Sequence, residues 1–97
     1  MEKGARDDPD AMVLMADHLF LACGGNEVGA LYEAAIKISP DHVRANLGLG
    51  EWHAVHGRYG KALPYLDSAV RIAKKDSPEW RHATAVLNYV RSRDRSP

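Results

Sequence analysis

Residues 46–72 read NLGLGEWHAVHGRYGKALPYLDSAVRI, and two features of this stretch decide the fold. Apolar and small residues fall at helical spacing on both sides of HGRYG (56–60), so the segment reads as helix, tight turn, helix. Its last five residues, SAVRI (68–72), overlay AAIKI (34–38) when the chain is slid by 34 positions. The same shift pairs Tyr32 with Leu66, Ala35 with Ala69, Val28 with Ala62, Ala16 with Gly50 and Met15 with Leu49. A second shift pairs Leu49 with Ala83 and Gly50 with Thr84, and sets Trp80 opposite Met12 and Asn46. The positions that repeat are apolar or small, and those that do not are mostly polar. Two short helices joined by a turn cannot bury an apolar stripe alone, so each pair must stack on the next.

Worked outward, the pattern predicts helices over 9–22, 27–38, 42–56, 60–74 and 78–91. CGGN (23–26) and HGRYG (56–60) supply glycine where helices must end, and SPDH (39–42) and KDSPE (75–79) supply proline and capping side chains. Asp8-Pro9-Asp10 marks the first start, with negative charge at a helix N-terminus. Pro64 falls inside the fourth pattern. It is tolerated if the helix starts near Gly60 or Lys61, leaving Pro64 within the first turn, where its missing N–H has no intrahelical partner.

The 97 residues suffice for one domain with a modest core, and 45% apolar with 27% charged residues is a globular mixture. Thirteen basic and thirteen acidic side chains balance, so no net field draws the chain to nucleic acid or an anionic membrane. The basic run Arg91, Arg93, Arg95 is broken by Asp94 and reads as a solvated helix end. Cys23 is the single cysteine and cannot form an internal disulfide, which fits a reducing compartment. The opening MEKGARDDPD lacks the apolar centre of a signal peptide, and no run approaches the roughly 18–20 apolar residues of a membrane span. A cytoplasmic location is the expectation.

Gly48 and Gly50 could open a dinucleotide fingerprint, but His53 stands where its third glycine belongs and no strand precedes them. His53 and His56 are one turn apart, yet no cysteine or zincin-spaced acid accompanies them, so both read as structural and no metal or cofactor is expected. Cys23 reads as a small residue beside a turn, and no catalytic constellation stands out.

With a unit opening at Val43, the residues Leu49-Gly50, Gly57, Tyr59, Ala62, Leu66, Ala69 and Ile72 resemble a tetratricopeptide repeat, a helix–turn–helix unit of 34 residues. A looser unit opens at Pro9 with Met15-Ala16, Val28, Tyr32, Ala35, Ile38 and Pro40, and a third opens at Ser77 with Trp80, Ala83-Thr84 and Leu87. The resemblance implies an all-α superhelix of stacked repeats, 9–42 and 43–76, closed by a capping helix at 77–91 and flanked by a leader (1–8) and a polar tail (92–97).

The resemblance also implies a non-catalytic interaction module whose first helices line a concave face for a peptide or partner protein. Carried over by position, that face holds Val13, Asp17, Phe20 and Leu21, then Arg44, Leu47, Gly48, Glu51 and Val55, then Arg81, His82, Ala85 and Tyr89. Leu47, Glu51 and Val55 share one helical stripe on spacing alone. Gly48 is expected to leave room for a ligand's backbone. Family members that clamp a chaperone's C-terminal carboxylate use Lys and Asn where this chain has Val13, Asp17 and Gly48, so that clamp is not expected. Two other readings remain open. The chain can be a recognition arm of a larger enzyme or sensor, or a self-assembly module whose apolar surface is covered by a second copy.

Overall fold

The computed structural model describes residues 8–22 and 25–94. They form five helices: α1 (Pro9–Ala22), α2 (Asn26–Ile38), α3 (Val43–Val55), α4 (Tyr59–Ile72) and α5 (Pro78–Arg93). These bounds lie within two residues of the sequence expectation. Cys23 and Gly24, and with them the expected CGGN turn and the role given to Cys23, lie outside the described residues.

Local chemistry explains the helix ends. Asp8 accepts from the Asp10 amide through its side chain, at 3.0 Å, and Pro9 takes the first helical position. His42 caps α3 with its ring: Nδ1 accepts from the Ala45 amide, leaving Nε2–H to donate to Asp10 Oδ1 at 2.6 Å. Ser77 caps α5 through the Trp80 amide, with Pro78 at the first position. At the end of α3 the amide of Gly57 donates to Ala54 O and that of Arg58 to His53 O, a Schellman motif. Gly57 adopts φ +75°, the left-handed conformation this turn requires. α4 ends two residues short of expectation because the chain must reach Asp76, at φ 69°, before the Ser77-Pro78 start.

Pro64 corrects one expectation. α4 begins at Tyr59 and the Ala62 amide already bonds to Arg58 O, so Pro64 is the sixth helical residue, beyond the free amides of the first turn. The donor it withholds is the one owed to the Gly60 carbonyl, and both residues are exposed, where water can serve that carbonyl.

The helices lie in two layers. α1, α3 and α5 sit side by side, while α2 and α4 pack behind them, each against its sequence neighbours. Two apolar clusters hold the stack. One joins Met12, Val13 and Ala16 of α1, Val28, Tyr32 and Ala35 of α2, and Ala45, Leu49 and Trp52 of α3. The other joins Leu47 of α3, Ala62, Leu66 and Ala69 of α4, and Ala83, Leu87 and Val90 of α5. α3 therefore serves both, which is why Ala45 to Gly50 are buried without interruption.

Small residues mark the closest approaches. A methyl group at Gly50 would lie 2.6 Å from the Leu66 side chain, and one at Gly29 would lie 2.6 Å from the Trp52 ring. Asn46, which stands where Trp80 stands in the last unit, closes its own loop instead: Nδ2 donates to the carbonyls of Pro40 and His42 at 3.0 and 2.9 Å.

His53 fills the packing position expected of it. It is buried, stacks on Tyr65 with centroids 5.9 Å apart, and its Nδ1 accepts from Arg58 Nε at 3.3 Å. Arg58 in turn lies 4.8 Å over the Trp52 ring. Burial, then the charges of Arg58 and Lys61, push the imidazole below its ordinary value of 6.5, opposed by Glu33. The unfolded chain therefore binds the proton more readily than the folded one, so this contribution is intact above pH 6.5 and falls away as pH drops through the folded-state value. Replacing His53 by Leu, the residue at the equivalent positions 19 and 87, removes that loss. Thermal melts of the two proteins from pH 7.5 to 5 are expected to diverge in favour of the variant as pH falls. Parallel curves would refute this role.

Candidate functional site

The face formed by α1, α3 and α5 together carries most of the side chains selected from sequence. Tyr32 reaches it from behind: its ring passes between α1 and α3, and its hydroxyl donates to Asp17 Oδ1. Burial and the Asp17 carboxylate hold the phenol far above its ordinary range, so it stays a donor at any physiological pH. Asp17 also accepts from Arg44 at 2.7 Å, tying α1 to α3. Glu51 and His82 meet at 2.9 Å and tie α3 to α5 in the same way. These pairs are partly exposed and contribute little energy each; their effect is to fix where the charges stand.

Between α3 and α5 the face opens into a cleft of about 350 Å³, lined by Arg44, Leu47, Glu51, Pro78, Glu79 and His82. Leu47 forms its nearly buried floor, with charged side chains on the walls. Four of these six were selected from sequence. Pro78 and Glu79 were not, although Pro78 sits 34 residues after Arg44 and the period could have placed it.

Two selected residues are corrected. Val13 is 2% exposed and belongs to the first apolar cluster, so it offers nothing to a ligand. Gly48 leaves no open space either, because the Tyr32 ring occupies the volume that a Cβ would take. The glycine is required by the protein's own packing. Phe20 is half-buried against the first cluster. Leu21, Val55, Arg81, His82, Ala85 and Tyr89 are exposed.

Two larger clefts lie elsewhere and were not anticipated. One of about 540 Å³ opens on the opposite side among α2, α3 and α4, lined by Ala30, Glu33, Ala34, Lys37 and Tyr65 among others. Another, of about 620 Å³, lies at the α3–α4 turn beside Arg93 and Asp94. Of the basic run at the end of α5, Arg91 pairs with Asp67 at 3.3 Å and Arg93 lies 5.3 Å over the Tyr89 ring; Arg95 is outside the described residues. Among the described residues no three His, Cys, Asp or Glu side chains gather as a metal site would need, and no helix is long and apolar enough to cross a membrane. His56 donates from Nδ1 to the Trp52 carbonyl at 2.7 Å, and its ring, like that of His53, lies against the Trp52 indole.

Helix pairs in a 34-residue register, small residues at the helix contacts and a shared face along the first helices define a helical-repeat protein. The chain belongs to the tetratricopeptide repeat family, whose pattern matches residues 26–87. It is similar to anaphase-promoting complex subunit 7 of Arabidopsis thaliana, with 31% identity over 68 residues. That match covers 69% of this chain and 12% of the relative, so the chain spans a small part of that protein's length. No solved structure matches it.

Proposed function

We propose that this protein is a non-catalytic interaction module that holds a segment of a partner protein on the α1–α3–α5 face. The observation that carries the reading is the α3–α5 cleft, which combines an apolar floor at Leu47 with charged walls at Arg44, Glu51 and Glu79 and the His82 imidazole bonded to Glu51. An apolar floor supplies affinity and flanking charges supply selection, as peptide-binding clefts require. Family membership supports a protein partner in general, and the relative is by its name a subunit of a complex. A cytoplasmic site of action, and indifference to nucleic acid given the balanced charge, complete the reading.

The test is site-specific photo-cross-linking. A benzophenone side chain at His82 should capture a partner protein, one at Lys37 on the opposite side should not, and Arg44→Glu should abolish the His82 adduct. Equal capture at both positions, or an adduct indifferent to Arg44, would reject the face.

A further inference from the structure

Ala45, Leu49 and Trp52 of α3, with Tyr65 of α4 packed against them, are buried on the helix pair that precedes them, α1 and α2. Thirty-four positions earlier the same places are held by Ala11, Met15, His18 and Leu31, and among the described residues no helix pair precedes α1. α1 is therefore apolar on two opposite sides. Met12, Val13 and Ala16 enter the core, while Ala11, Leu14, Met15, His18, Leu21 and Ala22 form an outer stripe that belongs to neither cluster. Leu14 is 67% exposed, Met15 49% and Leu21 91%. His18 is the one ionisable side chain among the six.

The other end of the stack is built differently. Away from Ala83, Leu87 and Val90, α5 exposes Arg81, Ala85, Asn88 and Ser92. Copies joined head to tail would bury Arg81 and Asn88 against leucine and methionine, at the full cost of desolvating them. Only the α1 edge can meet its own like without that cost. Residues 1–7, MEKGARD, bring four charged side chains and one large apolar one, which is not the composition of a cover for this stripe.

We propose that two copies of this chain pair through the outer stripe, α1 against α1, antiparallel about a two-fold axis at His18. The stripe is self-complementary about that residue. Leu14 and Ala22 lie four residues to either side of it and Met15 and Leu21 three, so the axis sets leucine against alanine and methionine against leucine. A neutral imidazole has one donor and one acceptor nitrogen, so the two His18 rings satisfy each other where they meet. The exposed parts of the six residues amount to roughly 500 Å² per copy, twice that in all, which is the lower bound of a specific interface. The pair is thus a weak dimer, with a Kd on the order of 10–100 μM. This edge of the stack lies outside the α3–α5 cleft, so the interaction reading above stands or falls separately.

Sedimentation equilibrium of the full chain from about 1 to about 500 μM tests the pairing. The weight-average mass should climb from 10.7 kDa towards twice that value and no further. Leu14→Glu, at an exposed position, should weaken the dimer at least about tenfold with an unchanged circular-dichroism spectrum. Ala85→Glu, on the free side of α5, should leave the wild-type curve. A mass fixed at 10.7 kDa throughout, association indifferent to Leu14→Glu, loss of association in Ala85→Glu, or growth past the dimer would each overturn the proposal. Disulfide trapping tests the axis. In a Cys23→Ser background, His18→Cys should cross-link to its own copy faster than Leu14→Cys or Ala22→Cys, each of which lies about 6 Å along the helix from the axis. Equal rates at the three positions, or faster trapping at Ala85→Cys, would reject the α1–α1 contact.

Discussion

Gly48→Leu is expected to abolish folding of the first helix pair, and Gly48→Ala to cost about 2 kcal/mol although alanine is by about 1 kcal/mol the better helix former. The Tyr32 ring fills the space at Gly48, and it cannot withdraw. It is almost fully buried and its hydroxyl is bonded to Asp17, so a shift of the ring strands a buried donor as well as disturbing the core. The sign of the alanine effect is therefore set by the ring, and removing the ring should reverse it. In a Tyr32→Ala background, itself destabilised, Gly48→Ala is expected to stabilise by up to about 1 kcal/mol. Urea denaturation of the four proteins in this cycle measures the coupling. Additivity would mean that Gly48 and Tyr32 are not packed as described.

The second large effect lies in the other cluster. Leu66 is fully buried and leans into the notch left by Gly50, so Leu66→Ala should cost about 2–5 kcal/mol. Domains of this size are stable by only about 5–15 kcal/mol, so the variant will be marginal at room temperature. Gly50→Ala alone should also destabilise, by about 1–3 kcal/mol, because its methyl would meet Leu66 at 2.6 Å and the Ala62 carbonyl at 3.4 Å. Together the two changes should partly compensate: the added methyl enters the vacated volume, and a helical glycine is removed. The double variant should unfold at higher urea than Leu66→Ala. A double variant weaker than either single one would contradict the packing.

These two sites also show what the sequence could reveal. The period was legible because core positions tolerate only apolar or small residues, and it located Gly50, Ala62, Leu66 and His53 correctly. It could not foretell Gly48. By the period, Tyr32 is the equivalent of Leu66 and Ala16 of Gly50, which suggests that Tyr32 should pack within its own repeat. Ala16 carries a Cβ and an aromatic ring is longer than a leucine, so the ring passes on to the next helix and lies against Gly48. Side-chain size at one position thus redirected a contact across a repeat boundary, which a pattern of apolar and polar letters does not encode. Val13 was misplaced for a related reason: position on a family's open face does not measure burial, and as the neighbour of Tyr32 in the first cluster it is enclosed. Arg44, Glu51 and His82 share the face that the period placed them on, where each is held by a partner one helix away.

The division of α3 between both clusters has a consequence for how the molecule opens. Repeat arrays can come apart unit by unit, since each unit touches only its neighbours. Here neither half can be released without taking α3 from the other, so the two repeats share a single point of failure. Opening must begin at the margins, with α1 or α5 lifting away while the centre holds. The amides of Ala45 to Gly50 would then exchange their hydrogens with solvent only when the whole chain unfolds, making one buried turn and a half of helix the clock for the entire molecule.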